Sequence, residues 1–113
     1  MYLDKSKETK KRSKKILFVS PDMGGISAYR QYHAPPLGVV RLAGYLNSKG
    51  HHGEYYDPNL YACSKKGLSL EEILKKENWD IVGFSMLDET LLQDIQNIYL
   101  AKKTCPKALL VAG

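Results

Sequence analysis

Two hydrophobic rhythms alternate along the chain. Short, nearly unbroken apolar runs rich in β-formers are separated by longer stretches in which apolar residues recur every three or four positions. "KILFVS" (15–20) is the first run, closed by Ser20-Pro21, and reads as a strand buried on both faces. In "PPLGVVRLAGYLNSKG" (35–50), Leu37, Val40, Ala43 and Leu46 are spaced by three, Pro36 suits a first helical turn and Gly50 suits a C-terminal cap. A shorter strand follows at 52–57, broken by Asp57-Pro58-Asn59, and residues 58–68 read as a polar loop. Ser69 with Glu72 forms a capping box that predicts a short helix through Lys76. "DIVGFSML" (80–87) is the clearest strand. Thr90 with Gln93 predicts the start of a third helix, with Leu91, Ile95, Ile98 and Tyr99 on one face, stopped by Cys105-Pro106. "ALLVAG" (108–113) is the fourth strand.

Strands that alternate with helices and are apolar on both faces predict an α/β fold. The expected form is a doubly wound (Rossmann-like or flavodoxin-like) parallel sheet, incomplete, with about four strands in the order 2-1-3-4. Right-handed crossovers then put the first helix on one face and the next two on the other. One face is left under-covered, and the last strand has no helix after it. Both features lead to the expectation that this is the N-terminal piece of a longer protein, truncated after strand 4, or a chain that pairs with itself through the uncovered sheet face or edge.

Composition adds limits. The chain has 113 residues and 43% hydrophobic content, enough for one domain or part of one. No apolar run approaches the roughly 18 residues of a membrane span, and the N-terminus lacks a signal peptide's apolar centre, so the expected compartment is cytoplasmic with no membrane partner. Cys63 and Cys105 lie too far apart for a CxxC pair and read as reduced thiols. The net charge of +5 is localised: residues 1–15 hold seven Lys/Arg against two Asp/Glu, and residues 16–113 are neutral. That division predicts a basic disordered tail (1–15) ahead of the domain (16–113). No aromatic is interleaved with the tail's basic residues, so a nucleic-acid partner is not expected.

In open α/β sheets, ligands bind beyond the carboxyl ends of the strands, at the switch point. There the loop over 21–36 runs about sixteen residues, where such connections take 2 to 6. It carries no GxGxxG fingerprint, although Gly24-Gly25 could converge backbone N–H groups on a phosphate. His33 has no ligand-spaced neighbour, and His51-His52 opens the second strand at the opposite end of the sheet. Asp22, Asp57 and Asp88 each follow a strand, but a phosphoacceptor domain would end its third strand in Asp, whereas this one ends in Ser85-Met86-Leu87. No catalytic pair and no metal-ligand set is legible. A flavin- or nucleotide-binding flavodoxin-like domain, or a non-catalytic self-associating module, is compatible with these residues.

The linked segments "PPLGVVRLAGYLNSKGHHGEYYDPN" and "WDIVGFSMLDETLLQDIQNIYLAKKTCPKALLVAG" resemble the N-terminal cobalamin (B12)-binding domain of cobalamin-dependent radical SAM enzymes, over residues 15–113. The resemblance implies cobalamin as cofactor. It makes Ser85-Met86-Leu87 the family's Ser-x-Leu, whose Ser lines the pocket for the nucleotide tail, and Gly113 the first glycine of the closing Gly-Gly. Pro36-Leu37-Gly38 would open the first helix, and Asp22-Met23-Gly24-Gly25 would lie beside the corrin ring, with Tyr29, Tyr32 and His33 contacting the ring or packing the loop. The wider cobalamin fold has Asp-x-His-x-x-Gly here, its His on cobalt. Gly24 stands at that His, so the resemblance implies cobalt free of both this His and benzimidazole, which suits methyl transfer. The chain has no CxxxCxxC and therefore no iron–sulfur cluster of its own. The radical SAM barrel domain, missing from this chain, would be its partner.

Overall fold

The structure, a computed structural model, describes residues 13–24 and 37–113. Four strands, β1 (Lys15–Val19), β2 (His52–Tyr56), β3 (Ile81–Phe84) and β4 (Leu109–Ala112), form one parallel sheet in the order β2-β1-β3-β4. This is the open, doubly wound order expected from the sequence, that of the flavodoxin-like class. Leu17 pairs with Glu54 on one side and Val82 on the other, and Leu17 and Val82 are wholly buried at the sheet's centre.

Helix α1 (Leu37–Ser48) packs on β2 and β1. The approach is close enough that a Cβ on Gly53 would sit 2.9 Å from the carbonyl oxygen of Ala43, so only glycine fits there. Gly50, with φ +90°, ends α1 as the cap expected of it, and His51 N–H donates back to Leu46 O at 3.0 Å. The opposite face carries α2 (Pro58–Ser64), α3 (Leu70–Lys76) and α4 (Leu91–Thr104). The main core lies on that side, where Leu17, Val19, Val82 and Phe84 meet Ile73, Leu74, Trp79 and Ala101. Both capping-box bonds expected at Ser69 and Glu72 are present, at 3.2 and 2.8 Å.

Three expectations are corrected. Residues 58–64 are helix α2 rather than loop: the Asp57 side chain accepts from Asn59 N–H at 2.9 Å and Pro58 takes the first turn, so Asp-Pro-Asn ends the strand by starting a helix. Strand β3 stops at Phe84 instead of continuing to 87, although Ser85 N–H still donates to Val19 O and Met86 N–H to Gly113 O. The third expected helix, α4, is turned from the expected face. Leu91, Ile95 and Tyr99 are exposed, Ile98 alone of the four packs against the core, and Asp94, Asn97 and Ala101 are buried. The buried line is displaced by one residue, about 100° of rotation. Likewise the Thr90 hydroxyl does not cap Gln93 but accepts from Leu87 N–H and donates to Asp94. Buried hydrogen bonds at the sheet's end hold the helix in this setting against its apolar pattern.

β1 begins at Lys15, and contacts begin earlier still, with Ser13 Oγ donating to Gly50 O and Lys14 N–H to His51 Nδ1. Residues 1–12 of the basic tail lie outside the described residues. No described helix is long and apolar enough to cross a membrane.

Candidate functional site

The carboxyl ends of β1 and β3 mark the switch point, because α1 leads away from β1 on one face and α4 from β3 on the other. On the α4 side, the segment after β1 is held by side chains from two other elements, α4 and α2 with its cap. Asp22 N–H donates to Asp94 Oδ1 at 2.9 Å, Asn97 Nδ2 donates to Asp22 Oδ2 at 2.9 Å, and Met23 N–H donates to Asn59 Oδ1 at 2.7 Å. Asn59 Nδ2 returns a bond to Pro21 O, and Ser20 Oγ donates to Asp57 Oδ1. The second oxygen of Asp94 accepts from the Thr90 hydroxyl, which accounts for a carboxylate only 2% exposed. Gly24 N–H donates to Asp22 Oδ1 across a tight turn, and its φ of +77° is a backbone setting that side chains resist. The carboxylates of Asp22, Asp57 and Asp94 thus all accept from fixed donors, and together they form a scaffold for the start of the long loop. A small cavity of about 260 Å³ lies beside it, lined in part by Asp22, Gly24, Tyr56 and Lys65. The Tyr56 phenol there donates to Leu68 O at 2.8 Å, and burial raises its pKa well above the ordinary tyrosine value.

The α1 side is different in kind. An open groove of about 510 Å³ runs between α1 and β4 at the carboxyl end, walled by Val39 and Leu42 on one side and Val111 on the other. Its floor is Phe18 and Gly83, and a Cβ on Gly83 would come within 3.2 Å of the Phe18 ring. Gly38 and Gly113 leave the ends bare, and Ser85 is the one lining side chain with a hydroxyl. The volume and the single polar group on apolar walls are those of a small-molecule site. Among the described residues α1 packs mainly on β2 and β1, and Leu109 and Val111 of β4 remain 62% and 48% exposed.

Of the candidate residues read from the sequence, Gly38, Ser85 and Gly113 converge on this groove from three separate segments. Asp22, Met23 and Gly24 belong to the hydrogen-bonded layer on the other side, with Asp22 and Gly24 lining its small cavity. Leu37 and Leu87 are exposed and Met86 packs against the main core; none of the three lines the groove. Gly25 and Pro36 lie outside the described residues, as do Tyr29, Tyr32 and His33. Sequence reasoning missed Asp94, Asn97 and Asn59. Their one signal was the interruption of apolar helical patterns by Asp and Asn at i, i+3 spacing, which reads equally well as a solvated face.

Fold and site together define an open α/β protein with an apolar groove at the carboxyl end of its sheet. Compared with protein-family models, curated proteins and solved structures, the chain matches none.

Proposed function

We propose that this chain is a cobalamin-binding module of a radical SAM enzyme of the methyltransferase type. The observation that carries the reading is the meeting of Ser85, Gly38 and Gly113 at one apolar groove beyond the strand ends. The groove fits the flat, weakly polar end of a larger ligand: Gly83 leaves the Phe18 ring uncovered for stacking, and Ser85 offers a hydrogen bond at the rim. It is smaller than a whole corrinoid, so the corrin would rest outside it, toward the 21–36 segment whose start is fixed by Asp94, Asn97 and Asn59. When bound, cobalamin supplies a cobalt centre that can carry a methyl group. This chain's part is to bind and orient it. The catalytic barrel would lie further along a longer protein or on another chain, and the expected setting is the cytoplasm.

Mixing the protein with hydroxocobalamin or flavin mononucleotide and recording visible spectra after desalting tests this. Corrin bands should be retained by the native chain and lost in Ser85→Trp, which fills the groove from its rim. Retained flavin absorbance without corrin bands would replace cobalamin with a flavodoxin-like flavin site.

Self-association is a second reading, favoured by the exposed Leu109 and Val111 on an edge strand that carries no charge, proline or bulge. Light scattering decides it: a concentration-dependent dimer abolished by Val111→Lys supports β4 pairing, and a monomer at all concentrations removes it.

A further inference from the structure

At the amino end of the sheet, away from the groove, three side chains distant in sequence meet. His52 and Glu54 stand two apart on β2 and so point to the same face, and Glu77 follows α3. One ligand atom from each lies within 4.8 Å of the other two. We propose that His52, Glu54 and Glu77 form a site for a divalent transition ion of the zinc type, which staples the edge strand β2 to the turn after α3.

The chemistry of the donors selects the ion. One imidazole nitrogen and two carboxylates are a borderline donor set, suited to Zn²⁺ or Co²⁺, which take three protein ligands and leave a fourth position for water. Mg²⁺ and Ca²⁺ favour all-oxygen shells with more ligands. His52 Nε2 and Glu54 Oε2 already stand 2.6 Å apart, sharing a proton. A metal replaces that proton and needs the two atoms to open only to about 3.3 Å, the separation set by metal–ligand bonds near 2.0–2.1 Å in a tetrahedron. The imidazole is held in place for this. Its ring stacks on Trp79 with centroids 6.2 Å apart, and Trp79 is itself buried and fixed by a 3.0 Å bond from its indole N–H to Ile73 O.

Two lysines oppose the ion and also orient its ligands. Lys76 Nζ holds Glu54 Oε1 at 3.3 Å and Lys15 Nζ holds Glu77 Oε1 at 2.9 Å, so each takes one oxygen and leaves the other oxygen of each carboxylate free of it. Both ammonium groups are about half exposed, where such pairs are weak and a lysine moves into water at little cost. Neighbouring His51 is not among the residues whose ligand atoms meet there, and its Nδ1 accepts from Lys14 N–H.

The test uses the untagged chain with zinc chloride, magnesium chloride as control, and cobalt chloride as a visible probe. Zinc at about 100 times its dissociation constant should raise the melting temperature by several degrees, with no response to magnesium. Cobalt should give the intense visible bands of a tetrahedral ion. His52→Asn should abolish both responses, Glu77→Gln should weaken the affinity about tenfold or more, and His51→Asn should leave it unchanged. No zinc shift at millimolar concentration overturns the proposal, and so does a shift that survives in His52→Asn, which would place the ion on Cys63, Cys105 or another histidine. If His52→Asn melts early without metal, Glu77→Gln, which keeps the stack on Trp79, decides the matter alone. Cobalamin binding does not enter any readout, so the two proposals fail separately.

Discussion

The two sides of the sheet at its carboxyl end are built from opposite materials. On the α4 side, Asp22, Asn59, Asp94, Asn97 and Thr90 form a closed hydrogen-bonded layer, and every buried described side-chain polar atom has a partner. On the α1 side, Phe18, Leu42 and Val111 face an open groove with one hydroxyl. Satisfied polar groups in a low-dielectric setting fix one geometry, since shifting any of them leaves another unpaired. Apolar walls have no such directional demand and accept any ligand of suitable shape. The polar side therefore sets where the segment after β1 departs, and the apolar side is where the proposed ligand would gain contact area.

Breaking the polar side should have the largest effect. Asp94→Ala removes the acceptor for Asp22 N–H and Thr90 Oγ inside a buried layer, and should cost about 3 kcal/mol in urea denaturation. Asp94→Asn, which keeps one acceptor oxygen, should cost clearly less. A loss equal to that of an exposed-site change would show that the layer is not cooperative.

Gly53→Ala tests how the groove's α1 wall is held. The new Cβ would meet backbone at Ala43, which cannot rotate aside, so the cost should be about 1–3 kcal/mol. Because α1 must shift, hydroxocobalamin retention should fall more than stability alone explains.

Tyr56 gives the comparison a pH axis. Its folded pKa is raised by burial above the ordinary value of 10.0, so its contribution is complete below about pH 10 and is lost as pH rises through the folded value. Tyr56→Phe should flatten that alkaline loss while costing about 1 kcal/mol at neutral pH for the bond to Leu68 O. Stability measured between pH 8 and 11 checks both.

The smallest effect belongs to the open side. Leu109→Ser replaces an exposed leucine and should change stability by less than about 0.5 kcal/mol. A larger loss in dilute protein would mean that β4 is covered in solution.

The strands and their order were legible because "KILFVS", "DIVGFSML" and "ALLVAG" are apolar at consecutive positions, a pattern with no solvent face. The Ser69–Glu72 box and Gly50 were legible because their bonds are local. Helix α2 was missed because Asp57-Pro58 signals both a strand end and a helix start. The face of α4 was misread because a hydrophobic count gives no value to an Asp or Asn whose partner lies 72 or 75 residues away. Ser85, Gly38 and Gly113 could be singled out by resemblance, but their convergence on one groove could not.

By itself, the sequence determined what depends on neighbours along the chain: the four strands and three of the helices, the caps at Gly50 and Ser69, the parallel topology and the concentration of net charge in residues 1–15. Tertiary structure alone decided which face each helix buries, that Asp94 and Asn97 hold the turn after β1, that β4 is left bare beside α1, and that His52, Glu54 and Glu77 come together. The physical reason is one of range. Caps and periodicity act over three or four residues, whereas a buried hydrogen bond or a groove needs surfaces that only the packed sheet brings face to face.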